Sequence, residues 1–303
     1  MPRFCDHTVR VRVPATSANL GPGFDALGLA LGIHDHVTAR IGTEGVRVRV
    51  TGEGTGDLPS DARHLVASSA LAAFDELGGR PPGLDIECMN TIPQARGLGS
   101  SSAAIVAGIL AARALVEGGS EAMTDAAALR LASRIEGHPD NVAPCLLGGF
   151  TIAWTETDGA HAVRLLPDPA VRLELFVPAE RGLTAAARAV LPAHVPHSDA
   201  AHSAGRAALL VHAMTADPSL LFAATEDRLH QEYRAAEMPA TAALVRTLRA
   251  TGVAAVVSGA GPSVLTLTGP RGREPDTDTP GWLRLSPPCD VVGAVCEVDS
   301  SAR

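Results

Sequence analysis

The chain has 303 residues, of which 46% are hydrophobic, enough for two globular domains with sizeable cores. Its net charge is −8 and its basic residues are scattered, which argues against a nucleic-acid-binding surface. The longest apolar run, residues 103–112, ends at Arg113 and is too short to span a bilayer.

The five cysteines predict free thiols. They are odd in number and widely spaced, and they form neither a disulfide framework nor a zinc-binding pattern. We interpret them as small buried hydrophobic residues. A reducing compartment, the cytoplasm, is therefore expected. The five are Cys5, Cys88, Cys145, Cys289 and Cys296.

The first half of the chain mixes strands and helices. Val9, Val11 and Val13 alternate with arginines, which predicts a half-buried strand that ends at Pro14. A loop rich in glycine, proline and small polar residues follows, to Asp25. Further strands are predicted at residues 26–33, 37–41, 46–50, 84–88 and 150–154, and helices at 65–77, 100–116 and 124–135.

The second half also mixes strands and helices. Strands are predicted at residues 171–177, 254–257, 264–268 and 291–298, and helices at 198–214, 218–236 and 240–250. Because strands and helices do not alternate strictly, we predict an α+β fold in both halves. The polar stretch at residues 156–161 suggests a boundary between domains 1–158 and 159–303.

One motif at residues 93–104, PQARGLGSSSAA, lies between a predicted strand and a predicted helix. Gly97 and Gly99 allow a close ligand approach, and the serines that follow open a helix, where free N–H groups favour an anion such as phosphate. No lysine follows the second glycine, so this is not a Walker loop. A plain serine-capped turn is the alternative that this motif alone leaves open.

Other polar clusters also have two interpretations. Glu136 and Asp140 offer the hard oxygens that suit Mg²⁺, or a solvated helix end and an Asx-turn. His138 is either a substrate contact or a loop-stabilising imidazole. Arg188 and Arg234 either clamp a carboxylate or are solvated. Glycine-bearing loops recur at residues 19–25 and 258–263.

Taken together, these loops resemble the GHMP kinase superfamily and, within it, the homoserine kinases. The matching segments are PATSANLGPGFDALGLAL (14–31), PQARGLGSSSAA (93–104), EGHPDNVAPCLLGGF (136–150), TAAARAVLP (184–192) and SGAGPS (258–263). The resemblance implies an N-terminal domain like ribosomal protein S5 domain 2, a ferredoxin-like C-terminal domain, and an active site between them. It also implies transfer of the ATP γ-phosphoryl group to L-homoserine in threonine biosynthesis.

The resemblance also implies site residues. The glycine loop is expected to wrap the ATP phosphates, with Ser101 (or its neighbour Ser100) and Glu136 approaching Mg²⁺. The nucleotide-binding positions are Pro93, Gln94, Ala95, Arg96, Gly97, Leu98, Gly99, Ser100, Ser101, Ser102 and Ala103, with Gly259 and Gly261 letting a turn pack against the loop.

The expected homoserine contacts are Asn19, Asp25, His138, Asp140, Asn141, Arg188 and Arg234, with both arginines on the carboxylate. Asn141, Thr184 and Arg188 are the expected catalytic residues. Asn141 takes the position of the aspartate base of mevalonate kinases, which leaves two alternatives open: a general base elsewhere, or direct passage of the hydroxyl proton to a phosphate oxygen.

The chain departs from the family pattern near the adenine, where many relatives have Asn-Leu-Val and this chain has His64-Leu65-Val66. Glu136 is also closer to His138 than in many relatives. Another small-molecule kinase of the superfamily, or a sensor without activity, is the alternative function. A homodimer is compatible with the resemblance.

Overall fold

Two β-sheets organise the chain, and the computed structural model describes residues 2–182 and 184–299, except the side chains of Thr184 and Asp299. The strands of the first sheet are β1 (Thr8–Ala18), β2 (Leu27–Gly42), β3 (Gly45–Gly52), β4 (Gly83–Asn90), β5 (Phe150–Glu156), β6 (Gly159–Leu165) and β11 (Val295–Asp299). They pair in the order β11-β1-β2-β4-β3, and the β5–β6 hairpin joins through β2.

The second sheet has four strands in the order β10-β7-β9-β8, where β7 is Arg172–Pro178, β8 Ala254–Val257, β9 Val264–Thr268 and β10 Trp282–Leu285. The helices are α1 (Leu65–Glu76), α2 (Ser100–Ala114), α3 (Gly119–Ala122), α4 (Asp125–Glu136), α5 (Pro139–Leu147), α6 (Thr184–Ala189), α7 (His197–Thr215), α8 (Leu221–Ala224) and α9 (Pro239–Ala250). Within the described ranges, no helix is long and apolar enough to cross a membrane. The predicted α+β class is confirmed.

The first strand is longer than predicted. It continues past Pro14 to Ala18, and its register against β2 shifts between Pro14 and Ala15. A strand tolerates proline at such an irregularity, because the missing N–H falls where the ladder is already interrupted. The prediction that the strand ends at Pro14 is therefore wrong, and the extension brings Thr16 beside the glycine loop, where its N–H donates to Leu98 O at 3.0 Å.

Two other departures from the prediction concern the ends of helices. The helix predicted at residues 218–236 is limited to a 3₁₀ turn (Pro218–Leu220) and the short α8. Beyond it, the Asp227 carboxylate accepts hydrogen bonds from the N–H groups of Leu229, His230 and Gln231, which favours a capped turn over a continued helix. The cluster after Glu136, in contrast, opens an unpredicted helix, α5, with Pro139 at its first position.

The first sheet takes strands from both ends of the chain. The predicted boundary between residues 158 and 159 falls in the turn of the β5–β6 hairpin, where Glu156 pairs with Gly159. The last strand, β11, pairs with β1 from Thr8 opposite Asp299 onward. The second sheet is therefore an insertion between β6 and β11, and the division of the chain into two domains at this boundary stays a prediction.

Helix α2 packs closely against α1 because Gly108 has no side chain. A Cβ at this position would lie 2.2 Å from the carbonyl oxygen of Val66 and 3.0 Å from the amide nitrogen of Ala70. Contacts this short are sterically forbidden, so any larger residue separates the helices. This packing holds the N-terminus of α1 beside α2.

Replacing Gly108 with alanine should destabilise the fold by about 1–3 kcal/mol, because overpacking displaces the backbone of α1. A matched control is Gly205→Ala in α7, where an added Cβ meets nothing within 4 Å. That exposed helical site should gain up to about 1 kcal/mol. Urea unfolding of both variants measures the difference, and equal midpoints would contradict the packing argument.

Candidate active site

The glycine loop presents backbone N–H groups at the start of α2. Gly97 and Gly99 have φ angles of 72° and 68°, in the left-handed region that favours glycine. Gly99 is the N-cap of α2, and no side chain caps this end. The first N–H groups of the helix, beginning at Ser100, therefore remain available to an anion. The alternative of a serine-capped turn does not hold, because α2 starts on the glycine.

The loop is held from behind by the turn at residues 258–263. Ser258 Oγ donates to Gly97 O at 2.7 Å and lies 2.8 Å from Ser17 Oγ. A Cβ on Gly97 would lie 2.2 Å from Ser258 O and 2.8 Å from Gly261 O. The two backbones thus touch, and only glycine at position 97 allows this approach. This turn therefore packs against the glycine loop, as expected.

Four of the predicted nucleotide-binding residues do not line the cavity in front of the loop. Arg96 donates to the carbonyls of Pro178 and Ala179 at 2.9 and 2.8 Å and so ties the loop to the end of β7. Ser102 is fully buried. The four are Pro93, Arg96, Ser102 and Gly261, all absent from the described lining of the cavity.

Glu136, the last residue of α4, faces the first turn of α2. Its Oε1 accepts hydrogen bonds from Ser101 Oγ at 2.5 Å and from Ser102 Oγ at 3.1 Å. One carboxylate and a hydroxyl are thereby joined at the edge of the glycine loop. Both predicted metal-binding residues are brought together.

The turn at residues 19–25 carries a paired carboxylate. Asn19 Nδ2 donates to Gly259 O at 2.9 Å, and its Oδ1 accepts from the N–H of Asp25 at 3.0 Å. Asp25 then accepts two hydrogen bonds from Arg188, at 2.9 and 2.7 Å. This bidentate pair raises the pKa of Arg188 and links the turn to α6.

The start of α5 carries a second pair. His138 Nδ1 donates to Asp140 Oδ1 at 2.5 Å, and this hydrogen bond raises the pKa of His138. The Asp140 side chain is 2% exposed. Next to it, Asn141 Oδ1 accepts from Thr16 Oγ1 at 2.8 Å, which fixes the direction of its amide.

Arg234 is fully buried yet reaches the cavity. Its Nε donates to Ala187 O at 3.0 Å. Burial lowers the pKa of Arg234, although an arginine remains charged at neutral pH. The solvated alternative proposed for this residue is excluded by its burial.

His230 is a site residue that the sequence did not single out. Its Nε2 lies 2.8 Å from Gly21 O, and its Nδ1 lies 3.0 Å from Arg234 Nη1. A carbonyl only accepts and a guanidinium only donates, so Nε2 carries the proton and Nδ1 accepts. The neutral imidazole, whose pKa burial lowers, orients Arg234. No local pattern pointed to it, because Gly21, whose carbonyl accepts from its Nε2, lies 209 positions away in the sequence.

Many of these groups line one cavity of about 350 Å³. The predicted site residues that line it are Asn19, Asp25, Gln94, Ala95, Gly97, Leu98, Gly99, Ser100, Ser101, Ala103, Glu136, His138, Asp140, Asn141, Arg188, Arg234 and Gly259. Its wall is charged near α5 and α6 and apolar near α1, where Val13, Val37 and Leu65 contribute. The side chain of Thr184, the first residue of α6, lies outside the described part of the structure.

One group of three potential metal ligands lies elsewhere. Among the described residues, Glu156, Asp158 and His161 bring their ligand atoms within 4.8 Å of one another on the β5–β6 hairpin. Both carboxylates are exposed, and Asp158 already accepts from His161 at 2.8 Å. Exposed acidic groups of this kind are common without an ion, so no metal role is assigned to them.

Comparison with known proteins identifies the family. The family model described as "GHMP kinases N terminal domain" matches residues 64–149, and "GHMP kinases C terminal" matches residues 202–277. A homoserine kinase of Streptomyces avermitilis is 60% identical over 266 residues, covering 88% of this chain and 87% of the relative. The chain belongs to the homoserine kinase family of GHMP kinases.

Further relatives agree with the motifs. The homoserine kinase of Clavibacter michiganensis is 48% identical over 298 residues, or 96% of this chain and 94% of that protein. The crystal structure of homoserine kinase from Cytophaga hutchinsonii superposes with a TM-score of 0.82 at 27% identity, covering 98% and 99% of the two chains. The predicted resemblance and fold are confirmed, and the chain is an ATP-dependent kinase.

Replacing Asp140 with asparagine should lower the pKa of His138, because the hydrogen bond that raises it is lost. A His with a raised folded pKa contributes stability below its ordinary value of about 6.5, and this contribution is lost as pH rises through the folded pKa. The stability difference between wild type and variant should therefore shrink with rising pH.

An NMR titration of the His138 ring measures this directly. Asp158→Asn, which removes the partner of His161 instead, is the matched control and should leave the His138 titration unchanged. Identical His138 titrations in the wild type and Asp140→Asn would contradict the assignment.

Proposed function

We propose that this chain transfers the γ-phosphoryl group of ATP to the side-chain hydroxyl of L-homoserine, in the cytoplasm, as a step of threonine biosynthesis. One observation carries the proposal: a single cavity joins the free helix N-terminus at Ser100 to the guanidinium groups of Arg188 and Arg234 and to carboxylates that include Asp25 and Asp140. The relatives named homoserine kinase support homoserine as the acceptor.

The charged wall suits an α-amino acid. Arg234 and Arg188 are positioned to bind a carboxylate, and Asp25 and Asp140 offer oxygens to an ammonium group. A hydroxy acid without an ammonium group would leave both carboxylates without a counter-charge from the ligand. This favours homoserine over mevalonate as the acceptor.

The glycine loop suits the nucleotide phosphates. Backbone N–H groups and the positive end of the α2 dipole stabilise phosphate charge. Glu136 and Ser101 supply the hard oxygen ligands that Mg²⁺ takes from a protein when phosphate oxygens complete its shell. When bound there, Mg²⁺ would neutralise charge on the phosphates.

In the transfer, the homoserine hydroxyl oxygen forms a bond to the γ-phosphorus while the bond from that phosphorus to the bridging oxygen breaks, releasing ADP. Asp25 and Asp140 are already paired with Arg188 and His138, and neither is a free base. The hydroxyl proton therefore passes to a γ-phosphate oxygen. Asn141, held by Thr16, orients the hydroxyl, and Arg188 acts near the reaction centre.

A coupled assay of ADP release should show turnover with L-homoserine and little with mevalonate or shikimate. The acceptor contributes both an ammonium and a carboxylate to the charged wall, and losing either charge removes contacts that only a matched ligand makes. Turnover with another alcohol but not with homoserine would contradict the proposal and favour another kinase of the superfamily. Nucleotide binding without turnover of any acceptor would favour a sensor.

Replacing Glu136 with glutamine keeps the shape but removes the charge. We expect kcat to fall about 100-fold or more and the Mg²⁺ concentration for half-maximal rate to rise. Glu156→Gln, on the exposed hairpin, is the control and should keep full activity. Unchanged Mg²⁺ dependence in folded Glu136→Gln, checked by its melting temperature, would argue against a metal at this carboxylate.

A further inference from the structure

The apolar part of the cavity contains a buried donor without an acceptor. His64 is the N-cap of α1 and is 3% exposed. Its Nδ1 accepts a hydrogen bond from the N–H of Val66 at 3.2 Å, so the ring proton is on Nε2. No described residue accepts from this Nε2, although the residue lines the cavity. An unpaired buried donor is costly, which points to a ligand acceptor.

The same wall contains a buried acceptor. Asp35 on β2 is 7% exposed and lines the cavity. Its Oδ1 accepts from the N–H groups of Thr91 and Ile92 at 2.6 and 2.9 Å. Both hydrogen bonds that the structure gives this carboxylate end on Oδ1, which leaves Oδ2 for another donor. Burial raises the pKa of Asp35 to about 6, so the group is mostly ionised at neutral pH.

The ligand that fits this wall is a nucleobase. If the phosphates bind the glycine loop and the amino acid binds the charged wall, only the apolar part remains for the base, as the proposed function requires. The apolar surface for the base comes from Val13, Val37 and Leu65. A donor and an acceptor on such a wall complement a ring nitrogen and the adjacent amino group of a purine.

We propose that His64 and Asp35 select adenine over 6-oxopurines. His64 Nε2–H donates to a ring nitrogen next to the 6-amino group, and Asp35 Oδ2 accepts from that amino group. A 6-oxopurine places a carbonyl oxygen against the carboxylate, where two acceptors face each other without a proton. His64 thereby performs the base contact although the chain departs from the Asn-Leu-Val pattern here.

The test compares ATP with inosine triphosphate, which differs at position 6 and in the N1 proton. With L-homoserine as acceptor, the wild type should prefer ATP in kcat/KM by about tenfold or more. Asp35→Asn keeps an oxygen for Thr91 and Ile92 and presents an amide donor to the base. Its preference should shift toward inosine triphosphate by about tenfold or more. An unchanged ratio in this variant would overturn the role of Asp35.

His64 is tested with two capping variants. His64→Ser keeps a cap for α1 but loses the donor, and should raise the KM for ATP about tenfold with little change in kcat. His64→Asn keeps a cap and an amide donor and should recover part of the loss. His161→Phe, on the exposed hairpin, is the control and should behave as wild type. A wild-type KM in His64→Ser would overturn the role of His64.

Wild-type protein provides a measurement that needs no variant. Titration calorimetry with ADP, 1-deaza-ADP and 7-deaza-ADP should show that removing one ring nitrogen weakens binding about tenfold. Equal affinities for all three would overturn the base contact. These outcomes are separate from failure of the proposed function, in which ADP binds but homoserine is not phosphorylated.

Discussion

The contact between two backbones, the glycine loop and the turn at residues 258–263, is the constraint on which the rest of the site depends. Ser258 Oγ binds Gly97 O at 2.7 Å, and the N–H of Gly259 donates to Ala18 O at 3.1 Å. The N-terminus of α2 is thereby fixed to the inserted segment that carries the second sheet. The first strand of that sheet, β7, starts at Arg172, whereas α2 ends at Ala114. Because no side chain separates the two segments, a larger residue at position 97 would push them apart and change the cavity.

Most polar groups of the charged wall are oriented before a ligand arrives. Asp25 is paired with Arg188, Asp140 with His138, and Arg234 with His230. Preorganised groups of this kind need little rearrangement when a substrate binds, which is the condition for strong electrostatic stabilisation of phosphoryl transfer. The apolar wall differs, because no described residue accepts a hydrogen bond from His64 Nε2. The charged wall is thus internally paired, whereas the apolar wall keeps an unpaired donor for the base contact that we propose.

Helix α5 illustrates how local and distant constraints combine. Its start at Pro139 follows a known positional preference, yet the sequence suggested only a polar loop there. The helix turns Asp140 inward and Asn141 toward Thr16. Thr16 itself reaches this place only because β1 continues beyond Pro14. The end of β1 and the start of α5, which the sequence did not predict, therefore carry residues of the site.

The sequence by itself determined the features that depend on neighbouring residues. The glycines at positions 97 and 99, the serines that open α2 and the order of the motifs predicted an anion site and the kinase family, because backbone freedom and helix ends are local properties. Helices α1, α7 and α9 were predicted for the same reason.

Only the tertiary structure decided which distant groups meet. Arg188 binds Asp25 across 163 positions, and His230 binds Gly21 across 209. Likewise β11 returns to β1, and the residues after α8 form a turn capped by Asp227 in place of the predicted helix. Long polar side chains have many possible partners in an extended chain, and packing alone selects one of them. The chemistry of the charged wall therefore follows from the fold, while the phosphate loop follows from the sequence.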